Sequence, residues 1–384
     1  MSGRSRVAVE RPAAGRWPAT AIALTVVTVL LVLVGLLMSF SASIVDAAQD
    51  GDAFGTFRRQ SVWAALAVPA FFLATRFPRQ HLRTLSWPLM MVAVVLLVLV
   101  VIPGVGVTRF GATRWIGVGG FVFQPSELAK LALLVWLADV LERKRPAAGT
   151  IHTTEHLLLP ALPALLLVGG LVMLQPDLGT AVLLALIVGA MLFIEGLRLR
   201  FFLLSVGLGA ALVALLVVVA DYRMARIRGW LYAEEYAQEA GFQLVQSWVA
   251  LGSGGVLGVG LGSSRGKWNF VPNPETDFVF AILGEELGLV GALGLILLFL
   301  VLLVLGLHVA FNAAAGFERT LAFTITVWVV GQAFVNIGTV IGLLPITGVT
   351  LPLVSVGGSS LLVTMAALGL LTNVARDPGV GAEV

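Results

Sequence analysis

Long apolar runs constrain this chain more than any other feature of its sequence. A helix that crosses a bilayer needs about 20 apolar residues, and about ten runs of that kind follow one another along the 384 residues. Only 12% of the residues are charged, whereas soluble domains carry about 25%. The sequence therefore predicts an all-α, polytopic membrane protein with about ten transmembrane helices.

We expect the membrane domain to cover residues 17–376, between an N-terminal tail (1–16) and a C-terminal tail (377–384). The first run is longer than the apolar part of a secretory signal, so we interpret it as a retained span. The expected spans lie near residues 17–43, 60–76, 85–103, 124–142, 157–174, 178–195, 201–220, 278–310, 320–344 and 355–376. The eighth run is unusually long, which predicts that it is tilted or extends past the membrane.

The distribution of Lys and Arg predicts the orientation, because short cytoplasmic loops are enriched in these residues. With both termini in the cytoplasm, most arginines fall on the inner side. One large segment, residues 221–277, then lies outside the membrane. The shorter outer segments are 109–123, 175–177 and 345–352. The unusual polar sequences are thus expected together on one extracytoplasmic face of a cytoplasmic-membrane protein.

Composition and spacing exclude several other functions. The chain has no cysteine, which excludes disulfides, thiolate nucleophiles and cysteine-based metal sites. The net charge is only +3, so we expect no nucleic-acid partner. His152 to His156 matches the HxxEH metalloprotease pattern, but this short stretch falls in an inner loop without a third ligand. We therefore predict no metal site.

Charged residues interrupt the fourth span. Pro125 suits the first turn of a helix, and Glu127 and Lys130 are three residues apart, so they share a face and can pair. One interpretation is an ion pair that snorkels among lipid headgroups. The other is a polar floor beneath an anionic headgroup, with Arg114, beside Trp115 in a Gly-rich loop, contacting its phosphate.

Asp177 follows a tight turn, Gln175-Pro176, and precedes an apolar helix. Its carboxylate can satisfy the free N–H groups of that helix as an N-cap. A cap at this position can also line a site, so both roles stay open.

Basic residues flank the large outer segment. Arg223 and Arg226 begin it and Lys267 lies near its end, against the positive-inside trend. They either face an anion or are simply solvated, because long loops escape that trend. The Gly-rich stretch 252–262 lacks the spacing of a nucleotide loop. We interpret it as close backbone packing or as re-entrant backbone.

Asp277 stands where the large segment turns into an apolar helix. An ionisable group at membrane depth is a functional hypothesis by default. Thr276 or Asp277 is predicted to cap the helix. Alternatively, Asp277 is a general base whose pKa is raised by the apolar stretch 278–280. Two further carboxylates, Glu285 and Glu286, lie two turns in, and only one of them can face the same side as Asp277.

Small residues stand at the start of the last span, Gly357-Gly358-Ser359-Ser360. They predict close approach of neighbouring helices.

Taken in order, these segments resemble the SEDS family of bacterial cell-wall proteins, which includes FtsW, RodA and SpoVE. The resemblance covers about residues 33–373 and rests on five motifs. They are Arg114-Trp115-Ile116-Gly117, Gln124-Pro125-Ser126-Glu127-Leu128-Ala129-Lys130, Gln175-Pro176-Asp177-Leu178-Gly179-Thr180, Thr276-Asp277-Phe278 with Gly284-Glu285-Glu286-Leu287-Gly288, and Gly357-Gly358-Ser359-Ser360. Residues 242–247, Lys267 and Val271-Pro272 resemble the FtsW branch more than the RodA branch.

The resemblance implies a peptidoglycan glycosyltransferase that polymerises lipid II, helped by a divalent cation (Mg²⁺ or Mn²⁺) without a tight site. The family's essential Asp corresponds to Asp277, and its Glu–Lys pair corresponds to Glu127 and Lys130. Implied partners are a class B penicillin-binding protein, divisome or elongasome proteins and membrane lipids, at the division septum. The chain departs from the family before Asp277, where Asn273 and Glu275 replace the usual Glu and His.

Two other functions stay open at this point. A lipid II flippase would use the intramembrane Glu127, Lys130 and Asp177 for transport. A scaffold would only recruit and activate the crosslinking partner.

Overall fold

The structure is a computed structural model that describes residues 17–49, 52, 54–109, 111–118, 121–144, 154–267, 271–272, 274–314 and 316–377. The predicted tail 1–16, most of the tail 377–384, and the predictions on Asn273 and His152 lie outside the described residues.

The described residues form thirteen helices and three short strands. The helices are α1 (Ala19–Gln49), α2 (Gly55–Ala74), α3 (Arg79–Thr84), α4 (Ser86–Val101), α5 (Pro125–Arg143), α6 (Thr154–Met173), α7 (Leu178–Ile194), α8 (Leu199–Val218), α9 (Asp221–Leu231), α10 (Phe242–Gly254), α11 (Val279–Asn312), α12 (Phe317–Val340) and α13 (Gly358–Arg376). The strands β1 (Gly106–Arg109), β2 (Ala112–Val118) and β3 (Phe121–Phe123) form one antiparallel sheet in the order β1-β2-β3.

Each predicted span coincides with a helix. Among the described residues, six helices are long and apolar enough to cross a membrane: α1, α6, α8, α11, α12 and α13. Helices α4 and α7 are apolar but shorter, α2 begins with a polar turn that contains Arg58, Arg59 and Gln60, and α5 carries five charged residues. The all-α, polytopic membrane architecture is thus confirmed, with one small sheet where a Gly-rich loop was expected.

Helix α5 lies at the centre of the bundle and packs against α4, α6, α7, α12 and α13. Between Pro125 and Leu141, every residue except Leu128 is buried. Helix α8 is the opposite case, since it has no buried residue along its whole length. The bundle therefore has a fully enclosed core on one side and an exposed helix on the other.

The long eighth span is broken rather than merely tilted. Gly288 has φ 67° and ψ −165° inside α11, which divides the helix there. A Cβ on Gly288 would lie 2.3 Å from the amide nitrogen of Gly258, so glycine is required by both the conformation and the close approach. The prediction of close backbone packing for the Gly-rich stretch is confirmed.

The large segment is not an open loop, because it contains α9 and α10. Trp230 on α9 donates to the carbonyl of Gly342 at 2.8 Å, and Ser247 on α10 donates to the carbonyl of Val340 at 2.8 Å. Both contacts fix the segment on the end of α12. The segment is therefore part of the folded bundle.

The small residues at the start of the last span serve packing, as predicted. A Cβ on Gly358 would lie 2.1 Å from the indole nitrogen of Trp63 on α2. The amide of Gly357 donates to Gln60 Oε1 at 3.2 Å. Glycine here lets α13 begin directly against α2.

Candidate active site

Segments that are far apart in the sequence meet at one end of the bundle. The amide of Gln124, just before α5, donates to Ser359 Oγ on α13 at 3.2 Å. The amide of Val356 donates to the carbonyl of Glu275 at 2.9 Å. Asn336 on α12 donates to the carbonyl of Asp277 at 2.8 Å. The end of the large segment, which holds Asp277, thus contacts α12 and the residues just before α13, and the start of α5 contacts α13.

Asp277 does not serve as the cap of α11. The N-cap residue is Phe278, and no side chain makes a capping hydrogen bond there. The prediction that Thr276 or Asp277 caps this helix is therefore wrong. Within the described residues, the carboxylate of Asp277 has no hydrogen-bond partner, so it is available for another role.

The surroundings of Asp277 change its acidity. Its side chain keeps some exposed surface, while Phe278, Val279 and Phe280 are buried beside it. Burial raises the pKa of Asp277 to about 6, with the nearby Asp177 acting in the same direction and the positive charges of Arg226 and Arg114 opposing it. The predicted direction of this pKa shift is confirmed.

Arg114 and Asp177 form a second charged group beside Asp277. The guanidinium of Arg114 donates to the carbonyls of Gln175, at 3.1 Å, and Pro176, and lies 3.6 Å from Asp177 Oδ2. Asp177 also caps α7, because its Oδ1 accepts from the amide of Thr180 at 3.1 Å. The cap is confirmed, and the same carboxylate faces Arg114.

Trp115 is placed differently from Arg114. Both belong to β2, where Trp115 pairs with Val107 on β1. Successive side chains of a strand point to opposite faces. Arg114 and Trp115 therefore cannot both face Asp277 from this strand.

The pair of Glu127 and Lys130 is buried inside the protein. Lys130 Nζ donates to Glu127 Oε1 at 2.9 Å and to Gln332 Oε1 at 3.0 Å, and it lies 5.2 Å from the centroid of the Trp328 ring. Lys130 is 1% exposed. The interpretation as a snorkelling surface pair is wrong, and the interpretation as a polar floor agrees with the burial.

Helix α12 connects that pair with Asp277, a role that was not predicted from the sequence. Trp328, Gln332 and Asn336 recur every four residues and so share one face. Gln332 Nε2 donates to the carbonyl of Thr350 at 3.0 Å, and Asn336 Nδ2 donates to those of Asp277 and Val349, each at 2.8 Å. The available signal was the two amide side chains inside an apolar span.

Several buried polar atoms near this site lack a hydrogen-bond partner among the described residues. They are Glu127 Oε2, Gln175 Oε1, Asn336 Oδ1 and Thr347 Oγ1. Buried polar groups are normally satisfied by protein or water. The end of the bundle around Asp277 can therefore accept hydrogen bonds from water or from a hydroxyl-bearing ligand.

Three of the basic residues of the large segment, Arg223, Arg226 and Lys267, have different positions. Arg223 donates to Tyr222 Oη and to the carbonyl of Leu216, so it is directed toward the end of α8. Arg226 is exposed and lines a cavity of about 410 Å³ together with Tyr222, Glu239, Gln243, Pro272 and Ile346. Of the three, Arg226 is the one whose charge acts on Asp277.

Lys267 is buried and has a structural partner. Its Nζ donates to the carbonyl of Gly262 and lies 3.5 Å from Glu286 Oε1. Glu286 also accepts from Ser41 Oγ at 2.6 Å. Lys267 therefore neutralises an internal carboxylate, and among the described residues its side chain contacts Gly262 and Glu286 rather than Asp277.

Glu285 and Glu286 hold the end of the large segment. Glu285 accepts from the amides of Arg265, at 2.9 Å, and Gly266, at 3.1 Å, and from Ser264 Oγ. Both carboxylates are buried and engaged in these contacts. Neither is therefore available as a second catalytic group beside Asp277.

These features define a class: a polytopic membrane protein with a carboxylate and two arginines at one end of its bundle, supported by a buried Glu–Lys pair. Residues 21–378 match the family described as "Cell cycle protein", whose members are FtsW, RodA and SpoVE. The chain belongs to this family.

Two relatives show how far the similarity extends. The chain is 41% identical over 351 residues to "Probable peptidoglycan glycosyltransferase FtsW" of Mycobacterium tuberculosis, an alignment that covers 91% of this chain and 66% of the relative. It thus spans about two thirds of that protein's length. It is also 41% identical to "Stage V sporulation protein E" of Bacillus subtilis, with 92% of this chain and 96% of the relative covered.

A solved structure has the same fold. It was determined in work on the structural coordination of polymerization and crosslinking by a peptidoglycan synthase complex. The match has a TM-score of 0.77 and 34% identity, and it covers 94% of this chain and 99% of the solved one.

Proposed function

We propose that this protein is a peptidoglycan glycosyltransferase that polymerises lipid II into glycan strands, with Asp277 as the general base. The proposal rests on the state and surroundings of the carboxylate of Asp277. It has no capping role, its pKa is raised to about 6, and Arg226 and Arg114 act on it electrostatically. The names of the relatives agree with this activity.

The proposed reaction is an inverting glycosyl transfer. Asp277 takes the proton of the 4-hydroxyl on the acceptor sugar while that oxygen bonds to the anomeric carbon of the donor chain. The bond from this carbon to the diphosphate oxygen breaks, and undecaprenyl diphosphate leaves with the electron pair. A pKa of about 6 leaves Asp277 ionised at neutral pH and basic enough to accept a proton.

Arg114 and Arg226 are proposed to neutralise the leaving diphosphate. Guanidinium groups bind phosphate oxygens through paired hydrogen bonds, and positive charge placed where negative charge develops stabilises the transition state. Diphosphate is already a good leaving group, so no second carboxylate is required as an acid. This agrees with the engagement of Glu285 and Glu286 in structural contacts.

In this proposal, Glu127 and Lys130 position the site from inside the bundle. Lys130 is 1% exposed and is held by Gln332, so it does not contact substrate directly. Gln332 and Asn336 bind the backbone of Thr350, Val349 and Asp277. The pair therefore fixes the frame on which Asp277 is presented.

A divalent cation remains a proposal drawn from the family resemblance. The described residues gather no group of three His, Asp or Glu that could hold a metal ion. Mg²⁺ is usually held by one or two carboxylates together with substrate phosphates. The described residues do not by themselves provide a complete site, and no step above passes through a cation.

The site is proposed to lie on the extracytoplasmic side, with both termini in the cytoplasm, because most arginines fall in the opposite segments. A class B penicillin-binding protein is the proposed partner, since the solved relative comes from a complex that polymerises and crosslinks. Divisome or elongasome proteins and a septal location are proposed on the family resemblance.

The test uses the purified protein in liposomes with fluorescent lipid II, with and without a class B penicillin-binding protein. Wild type should form glycan strands on a gel, and Asp277→Asn should lower the rate by about 10²–10⁴-fold because general-base assistance is lost. The control Asp52→Asn removes an exposed carboxylate that pairs with Arg58 and should keep wild-type activity.

Three results would contradict the proposal. Near-normal polymerisation by Asp277→Asn would remove Asp277 from the role of base. Movement of lipid II across the bilayer without polymer would favour the flippase. Wild-type growth of cells that carry Asp277→Asn would favour a scaffold.

A further inference from the structure

Residues 255–261, which join α10 to the end of the large segment, expose an unusual amount of apolar surface. Leu257 is 80% exposed, Val256 63%, Leu261 52% and Val259 44%. A contiguous exposed apolar patch on a folded protein marks an interaction site. We call residues 255–261 the anchor segment.

The backbone of the anchor segment is paired with the break in α11. The amides of Val259 and Gly260 donate to the carbonyls of Glu285, at 3.0 Å, and Glu286, at 3.1 Å. In the other direction, the amides of 289 and 290 donate to the carbonyls of 255, at 2.9 Å, and 256, at 3.2 Å. These bonds replace the helical bonds that are lost at Gly288.

Backbone pairing determines whether the anchor segment can lie in an apolar environment. Irregular backbone is excluded from lipid because unsatisfied N–H and C=O groups are costly there. The anchor segment has satisfied much of its backbone against α11. The anchor segment can therefore lie in an apolar environment, whereas an ordinary loop with unpaired backbone cannot.

The sequence of α11 gives the depth of the segment. The stretch 289–307 contains 19 uncharged residues, which at 1.5 Å per residue is about 28 Å and matches a hydrocarbon core of about 30 Å. Its polar flanks are Glu286 on one side and His308 on the other. The break at Gly288, and the anchor segment bonded to it, therefore lie at the edge of the hydrocarbon.

The neighbouring surface continues the same apolar belt. Leu289, Val290 and Leu293 on α11 are 53%, 59% and 53% exposed. Trp248 on α10 is 37% exposed, and tryptophan is enriched at the membrane–water interface. The anchor segment is thus continuous with the lipid-facing side of a membrane-spanning helix.

We propose that residues 255–261 are an interfacial membrane anchor, with Leu257 and Val256 inserted at the boundary of headgroups and acyl chains, in the leaflet at the Asp277 end of α11. The occupant of this surface is lipid. Because Glu285 and Glu286 bind residues 264–266 and Lys267 on the same break, the anchor sets the membrane depth of the segment that leads to Asp277. The proposal does not depend on the catalytic activity.

The absence of cysteine in the chain allows a direct test with the full-length protein in nanodiscs. Leu257→Cys carries an environment-sensitive fluorophore, and lipids carry a nitroxide either near the headgroup or at the acyl end. Glu235→Cys is the matched control, because Glu235 is an exposed polar residue in the same large segment. Leu297→Cys, on the exposed face of α11 at 59%, is the deep reference.

The label at 257 should be quenched more by the shallow nitroxide than by the deep one, with the reverse order at 297. Interfacial segments lie about 5–10 Å into the headgroup–acyl boundary, so iodide quenching at 257 should be about tenfold weaker than at 235. Val256→Cys repeats the measurement at a second exposed position. Both side chains are exposed, so neither substitution removes internal packing.

Two results would overturn the proposal. Iodide quenching at 257 equal to that at 235, without nitroxide quenching, would place the segment in water. Protection from both iodide and nitroxide lipids would show that another protein surface, rather than lipid, covers it.

Discussion

Helices α5 and α8 show opposite relations between polarity and burial. Helix α5 contains Glu127, Lys130 and Asp139, and all three are buried. Helix α8 is almost entirely apolar and has no buried residue. In a soluble protein the apolar helix would be inside, but lipid tails are as apolar as leucine and do not expel it.

The same contrast describes the two sides of the candidate active site. On one side, α5 and α12 hold the backbone of Asp277 through the buried Lys130, Gln332 and Asn336. On the other side, α9 follows the exposed α8 and presents Arg226 at the surface. We infer that the packed side positions the carboxylate, while the exposed side is open to a lipid-linked substrate.

The largest expected effect concerns the buried pair on the packed side. Lys130→Met leaves Glu127 as an unpaired buried charge, which should cost about 3–5 kcal/mol of stability. Thermal unfolding in detergent measures this loss. The double variant Glu127→Leu with Lys130→Met should recover most of the stability but not polymerisation. A double variant as unstable as the single one would show that packing, rather than charge, causes the loss.

A matched pair of leucines tests the comparison of the two helices directly. Leu134 on α5 is 0% exposed and Leu208 on α8 is 64% exposed. Leu134→Ala should cost about 2–5 kcal/mol through the cavity it leaves. Leu208→Ala should stay within about 0.5 kcal/mol, because lipid fills the space. Equal shifts in the melting temperature of the two variants would contradict the assignment of α8 as lipid-exposed.

Asn336 tests whether α12 positions Asp277. Asn336→Ala removes two hydrogen bonds and leaves the carbonyls of Asp277 and Val349 without their donor. The cost of about 1–3 kcal/mol should appear mainly in kcat for polymerisation, with KM for lipid II little changed. Asn336→Gln should recover part of the rate. Unchanged kcat with a lowered melting temperature would leave Asn336 a purely structural residue.

The smallest effect is a shift in the pH profile. Asp277 must be ionised to act as a base, so the rate should fall as the pH decreases through about 6. Arg226 lowers this pKa, so Arg226→Gln should move the acidic limb to higher pH. Arg223→Gln is the control, since Arg223 faces Tyr222 and Leu216 and should leave the limb in place. A limb that moves equally in both variants would exclude a specific effect of Arg226 on Asp277.

The sequence by itself determined the membrane class, the positions of the ten predicted spans, the start of α5 at Pro125 and the N-cap at Asp177. Each of these depends on a local signal, such as an apolar run, a proline at a first turn or a carboxylate before a helix. The upward direction of the pKa shift of Asp277 was also predicted, but its cause, burial together with the charges of Arg226, Arg114 and Asp177, comes from the tertiary structure.

Only the tertiary structure decided which polar residues meet. Four features depend on contacts between residues that are far apart in the sequence. They are the burial of Lys130, the link through Gln332 and Asn336, the break at Gly288 and the structural partner of Lys267. Hydrophobicity cannot predict such contacts, because in a membrane the inner and outer faces of a helix are both apolar. The close fit of side chains and glycines between helices decides which face is buried.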